Sequence, residues 1–316
     1  MAGGGNSTRA ILYALGANFA IAVAKGFAAY FTKSGAMLAE TVHSFADCGN
    51  QILLLLGMRQ ARKPPTAESP LGYGKAIYFW SFLVAVMLFT VGGMFSLYEG
   101  IHKLQHPEPL QKWWWAVGVL TFGIIAESVS MRACLVEVNK SRGTRSLWRW
   151  FRESRQAELV VIFGEDLAAL LGLVFALVAV VATVVTGDPL WDAIGTLAIG
   201  VLLIVVAVFV AIEVKALLIG SSADPQRQRE IAQWLEAQPQ IAGVPNLITI
   251  QLGNDLMVSV QAVMHPQGSE VALIDAINTV ESAMKSAFPE VRWSFFEPER
   301  ADRLDPSVGT QNLSSL

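Results

Sequence analysis

Apolar residues in the first 220 positions come in long continuous runs, not in the short alternating or 3.6-residue stripes of a water-soluble chain. Six runs are long enough to cross a hydrocarbon core of about 30 Å, which takes about 20 helical residues. They fall at 10–31, 36–57, 77–98, 113–135, 159–185 and 190–218. After Gly220 the pattern changes. Asp224-Pro225 opens an amphipathic stretch to about Gln238, with Asp224 placed to cap a helix. Residues 247–252 and 256–264 read as strands around a Gly253-Asn254-Asp255 turn, 269–288 as a helix, and 291–296 as a last strand. The expected fold is an α-helical membrane protein. Six transmembrane helices occupy 1–220, a small C-terminal α+β domain (order αββαβ, ferredoxin-like) occupies 221–300, and a polar, disordered tail occupies 301–316.

Composition agrees with that division. Hydrophobic residues make up 53% and charged residues 16% of the 316-residue chain, against roughly 25% charged in a soluble domain. The formal net charge of -3 supplies no basic field, so nucleic acid is not an expected partner. Cys48 and Cys134 have no CxxC neighbour, which implies neither a disulfide framework nor a thiolate zinc knuckle. Lysine and arginine set the orientation. The connection after the fourth run holds Lys140, Arg142, Arg145, Arg149, Arg152 and Arg155, and the one after the second holds Arg59, Arg62, Lys63 and Lys75. The opposite side carries only Lys33, Lys103 and Lys112, with Trp113, Trp114 and Trp115 as an interfacial belt and His102 and His106 in a solvated loop. The basic side is therefore expected to face the cytoplasm, with both termini. The first run lacks a cleavable signal pattern and contains Asn18 and Lys25, so it reads as a retained helix. The absence of a clear targeting peptide points to a bacterial cytoplasmic (inner) membrane.

The informative residues are the charges inside the apolar runs. An ionisable group at mid-bilayer costs roughly 2.5–3.5 kcal/mol on insertion scales, so it faces a bundle interior or a water path. The second run carries Glu40, His43 and Asp47 at i, i+3 and i+7 on one helical face, extended by Asn50 and Gln51. The fourth carries Glu127, and the fifth carries Glu165 and Asp166. Imidazole plus carboxylate one turn apart suits a borderline ion such as Zn²⁺ better than Ca²⁺, and Asp166 on a neighbouring helix would supply a third ligand. The same carboxylates can be neutralised by protons, so metal and protons would exchange. His43 and Asp47 also fit a plain helix-packing hydrogen bond, worth about 1 kcal/mol. Glu165 and Asn50 read as further ligands or a proton path, Glu40 as a group near the outer mouth, and Glu127 as a ligand or an interhelical contact. Cys48 reads as a small apolar residue.

The run SGAMLAETVHSFADCGNQILLLLG, the following PPTAESPLGYGKAIYFW and the later GEDLAALLG together resemble the cation diffusion facilitator family, over essentially the whole chain. The resemblance implies a homodimer in the lipid bilayer that exports a divalent metal by proton exchange and alternating access. The cargo is Zn²⁺ or alternatively Fe²⁺, Co²⁺ or Mn²⁺, with no prosthetic group and no enzymatic activity. It implies a metal site of His43, Asp47 and Asp166. The family's fourth ligand falls at Ile162, which cannot bind metal. Loop positions that bind a second ion in some members are Ser69 and Tyr73, and the metal-binding positions of the last strand are Phe295 and Glu297. Neither place is expected to bind metal, and the C-terminal domain is expected to serve dimerisation. The gap at Ile162 leaves room for a second reading, a non-transporting dimerisation partner or metal sensor.

Overall fold

The computed structural model describes residues 4–300; the tail expected over 301–316 lies outside the described residues. The runs read from the sequence form helices α1 (Gly4–Thr32), α2 (Gly35–Ala61), α3 (Ala76–Met87) continuing into α4 (Phe95–Gln105), α5 (Trp113–Arg142), α7 (Ala157–Thr186) and α8 (Leu190–Ile219). A short helix, α6 (Leu147–Glu153), sits in the basic connection. Six transmembrane helices were expected. Among the described residues, four segments are long and apolar enough to cross a membrane: Ala76–Gln105, Trp113–Arg142, Ala157–Thr186 and Leu190–Ile219. Helix α2 has the length, at 27 residues, but Glu40, His43, Asp47, Asn50 and Gln51 dilute its apolarity. Helix α1 carries Asn18 and Lys25.

The chain divides into two compact units. The first comprises the helices, apart from the 59–78 and 148–156 connections and the end of α8. Its core is built largely from small residues, with Ala28, Ala36, Ala39, Ala116, Ala168, Ala176 and Ala207 around Met37, Leu120, Leu173 and Leu203. Small side chains let helix backbones approach closely where lipid-like surroundings remove the hydrophobic drive for association. Gly100 and Gly200 mark the closest approach: a Cβ on Gly100 would lie 2.6 Å from Leu197, and one on Gly200 would lie 2.8 Å from the Leu97 nitrogen. α5 and α7 pack side by side, and α1 lies on α5.

Between α3 and α4 the helix widens into a π segment, Leu88–Met94, around Thr90, Gly92 and Gly93. The Thr90 hydroxyl donates to the Val86 carbonyl at 2.8 Å and Ser96 to the Gly92 carbonyl at 2.7 Å, so side chains take up carbonyls there. The helix then runs on to Gln105. His102 therefore lies on a helix, and His106 caps its end, in place of the loop expected for both.

Asp192 on α8 fastens the start of α2. Its side chain accepts from the Ser34 hydroxyl at 2.5 Å, the Gly35 N–H at 2.7 Å and the Ala36 N–H at 3.4 Å. A helix start leaves its first N–H groups without intrahelical partners, and here an acidic side chain from another helix supplies the acceptors.

The second unit holds α9 (Pro225–Glu236), β1 (Ile241–Leu252), β2 (Asp255–Met264), α10 (Glu270–Ala287) and β3 (Val291–Glu299). Asp224 caps α9 by accepting from the Gln226 N–H at 3.0 Å, and Ser269 caps α10 through the Ala272 N–H at 3.2 Å. The sheet order is β1-β2-β3, with β1 antiparallel and β3 parallel to β2. Asp255 already belongs to β2, which shortens the expected turn to Gly253-Asn254. Alternate residues of β2 (Leu256, Val258, Val260, Ala262) are buried with Ile231 and Leu235 of α9 and Val280 and Met284 of α10. The 59–78 connection packs in this unit. Gly74 lies so close to the Leu252 carbonyl that no side chain fits, and the Gly253 N–H donates to the Tyr78 hydroxyl at 2.9 Å. Tyr73 sits 3.1 Å from the Thr66 hydroxyl, and hydrogen bonds from Thr66 and Ser69 hold its phenol below the ordinary tyrosine range.

Replacing Asp192 by alanine strands the Ser34 hydroxyl and the Gly35 N–H in a buried layer. Each such loss costs about 1–3 kcal/mol. The expected result is a lower unfolding midpoint in detergent, recovered in part by Asp192→Asn.

Candidate metal centre

Helix α2 places its polar residues along one stripe because they recur at helical spacing. Glu40, His43 and Asn50 are fully buried, whereas Asp47 keeps a partly open side chain. Asp47 faces a cavity of about 240 Å³ enclosed by α1, α2, α5 and α7. Four acidic side chains line it: Asp47, Glu127, Glu165 and Asp166. Asn18, Gln51 and Ser130 add polar atoms, and Leu54, Leu55, Met58, Ile162 and Ala169 form the apolar wall. The lining residues of α2 run from Asp47 toward its C-terminal end, so the cavity occupies that half of the helix.

Each acidic group has its own surroundings. Asn50 donates to Glu165 at 2.6 Å, tying α2 to α7. Ser130 donates to Asp166 at 3.2 Å, tying α5 to α7. Asn50 is thereby engaged with Glu165, and its amide oxygen has no partner. His43 Nδ1 is 3.4 Å from Asp47 Oδ1, yet neither ring nitrogen makes a hydrogen bond. The imidazole does not line the cavity; it lies behind Asp47, near Gly92 of the π segment. Glu40 lies deeper still and pairs with Lys25 at 3.2 Å.

Of the residues proposed from the sequence, Asp47, Asp166, Glu165 and Glu127 thus share one cavity, while His43, Asn50 and Glu40 sit beside or behind it. Among the described residues, no three histidine, cysteine, aspartate or glutamate side chains converge closely enough to hold a metal together. The arrangement can attract and desolvate a cation at Asp47, and it presents an imidazole with free nitrogens one turn further in. A buried polar nitrogen without a partner costs about 1–3 kcal/mol, so His43 stores a binding capacity that the apo fold does not use. Ile162, at the position expected to lack a ligand, is on the cavity wall. Ser130 and Asn18 escaped the sequence reading. A serine or asparagine in an apolar helix is common enough that only its contact with Asp166 or the cavity marks it.

Residues 11–219 match the model of the cation efflux transmembrane domain. The mitochondrial proton-coupled zinc antiporter SLC30A9 of Xenopus laevis is 32% identical over 225 residues, which is 71% of this chain and 40% of that protein. Metal tolerance protein C4 of Arabidopsis thaliana is 32% identical over 237 residues, 73% of this chain and 51% of that protein. The matches cover only about half or less of those two relatives' length. The cation-efflux pump FieF of Klebsiella pneumoniae is 25% identical over 292 residues, 89% of each chain.

Asn50→Ala removes the donor from Glu165, which is almost fully buried. A loss of about 1–3 kcal/mol in stability is expected, read as a lower unfolding midpoint in detergent.

Proposed function

The chain belongs to the cation diffusion facilitator (cation efflux) family, and we propose that it exports a divalent metal, Zn²⁺ in the first place, in exchange for protons by alternating access. The observation that carries this reading is the shared cavity of Asp47 and Asp166, with the unpartnered imidazole of His43 at its inner edge. In this reading all of α1, α2, α3–α4, α5, α7 and α8 cross the bilayer, the basic connections and both termini face the cytoplasm of a bacterial inner membrane, and the cavity is the cytoplasmic mouth. The first 220 residues form the transport domain, and 221–300 form a cytoplasmic domain through which two copies pair symmetrically.

Transport follows from charge neutralisation. Several acidic groups in a small cavity of low polarity repel one another unless protons or a cation stand between them. Metal entering from the cytoplasm binds Asp47 and Asp166 as they release protons, since ligands must be deprotonated to bind. A rotation of the His43 ring would then complete a set of one imidazole and two carboxylates. That set favours zinc over harder ions, with Fe²⁺, Co²⁺ and Mn²⁺ as weaker cargo. Exposure to the far side, where protons refill the carboxylates, releases the metal. The names of the relatives, a zinc antiporter coupled to protons and a cation-efflux pump, support the same cargo and direction.

The test is Zn²⁺ movement into vesicles containing this chain alone. Asp47→Ala and Asp166→Ala are each expected to abolish flux. Equal flux in wild type and both variants would sink the site, and no flux in any of them would favour the non-transporting reading. His43→Asp is expected to shift preference toward Mn²⁺. Ile162→His adds an imidazole on the cavity wall and is expected to tighten Zn²⁺ binding about tenfold or more, measured by competition with a metal indicator.

A further inference from the structure

The cavity ends at Asp47, but the polar stripe of α2 continues away from it through His43 to Glu40. There the bundle is closed. Lys25 reaches in from α1, and its ammonium lies 3.2 Å from Glu40 Oε2 and donates to the Ser44 hydroxyl at 2.7 Å. Lys25 and Glu40 both have no exposed surface. Lys25 is the one fully buried lysine or arginine among the described residues. Two glycines shape the layer. A methyl on Gly172 of α7 would overlap Glu40 Oε1, and one on Gly123 of α5 would touch the Lys25 stem at 3.7 Å. Four helices therefore meet around one ion pair, a single turn beyond His43. Glu40 Oε1 is buried without a hydrogen-bond partner.

Stability does not account for this pair. Replacing a buried ion pair by apolar residues of similar volume is often neutral or stabilising. The pair also uses only one of the two Glu40 oxygens and leaves the other facing the layer unsatisfied. Both features make sense if Glu40 must change partners.

We infer that Lys25–Glu40 is the outward seal of the transport path, and that Lys25 is a tethered cation which competes with the departing metal for Glu40. The inference rests on the transport reading above. With the path closed, the ammonium occupies Oε2 and blocks the layer. A metal passing His43 meets the free Oε1 and takes over the carboxylate, and Lys25 stays anchored on Ser44. Return of the ammonium to Glu40 then expels the ion and closes the layer again. One cation replaces another on the same carboxylate, and no bond is made or broken. Lys25 is a positioning residue in this scheme, and Glu40 is a transient stop for the ion.

The experiment uses the full chain, with Zn²⁺ as the probe. Flux is measured in vesicles, and equilibrium Zn²⁺ binding and thermal unfolding are measured in detergent. K25M/E40Q removes both charges together and leaves neither partner stranded. It is expected to unfold near the wild-type temperature and to bind Zn²⁺ within about threefold of wild type, while flux falls at least about tenfold, the equivalent of one charge-assisted hydrogen bond. K25R keeps a cation in place and is expected to restore most of the flux lost in K25M. Should the double variant not fold, E40Q alone carries the test, with the same retained binding and lost flux expected. Flux within about twofold of wild type in the double variant, or in E40Q, overturns the inference and leaves the pair a packing element. Loss of Zn²⁺ binding together with flux in a folded variant also overturns it, because the residues would then belong to the binding site and not to a seal. A wild-type chain that moves no Zn²⁺ removes the transport reading and this inference together, whereas a working wild type with a working double variant removes this inference alone.

Discussion

Acidic side chains inside an apolar helix bundle must be neutralised or hydrogen-bonded, and that requirement organises the first unit. Water is not available to solvate them, and an unpaired buried charge costs several kcal/mol. Each group meets the demand differently. Glu40 has an ammonium, Glu165 an amide, Asp166 a hydroxyl, and Asp192 a helix start. Asp47 alone among these faces open cavity with only an imidazole at 3.4 Å. It is the group whose neutralisation the fold leaves to something that comes and goes.

These pairings also fix the helices. α2 is held at its start by Asp192, in its first half by Lys25, and in its second half through Asn50 and Glu165. Because the partners lie on α8, α1 and α7, one helix carries connections to three others at successive levels. Apolar packing among alanines is nearly indifferent to sliding or rotation, whereas a hydrogen bond between buried side chains is not. The polar stripe therefore sets the register of α2 and, with it, the direction in which Asp47 points.

The helices were legible because long apolar runs leave little choice of structure. The C-terminal elements were legible because Asp224, Ser269 and the Gly253-Asn254 turn punctuate ordinary amphipathic patterns. Spacing along α2 correctly grouped its polar residues on a stripe, and Asp47 and Asp166 do face one cavity. Spacing could not say that His43 would lie behind Asp47, because a side-chain rotamer and the contour of the opposite wall decide that. Nor could it foresee that Asn50 would be engaged by Glu165, since the pairing depends on how α2 and α7 are rotated against each other. The π segment was hidden for a related reason: hydropathy is blind to a change from 3.6 residues per turn. Thr90, Gly92, Gly93 and Ser96 were the available hints, and each is ordinary by itself.

That widened turn governs the angular phase of everything after it. A π segment accommodates a residue more than a regular helix would, and one residue corresponds to about 100° of rotation. Deleting a single position between Leu88 and Met94 would let the α-helical hydrogen-bond ladder close, at the cost of swinging α4 by that angle. Gly100 would turn away from Leu197, and bulkier neighbours would be driven against α8. Length in this stretch is thus under tighter control than composition: residues there can be exchanged one for another more safely than one can be lost or gained.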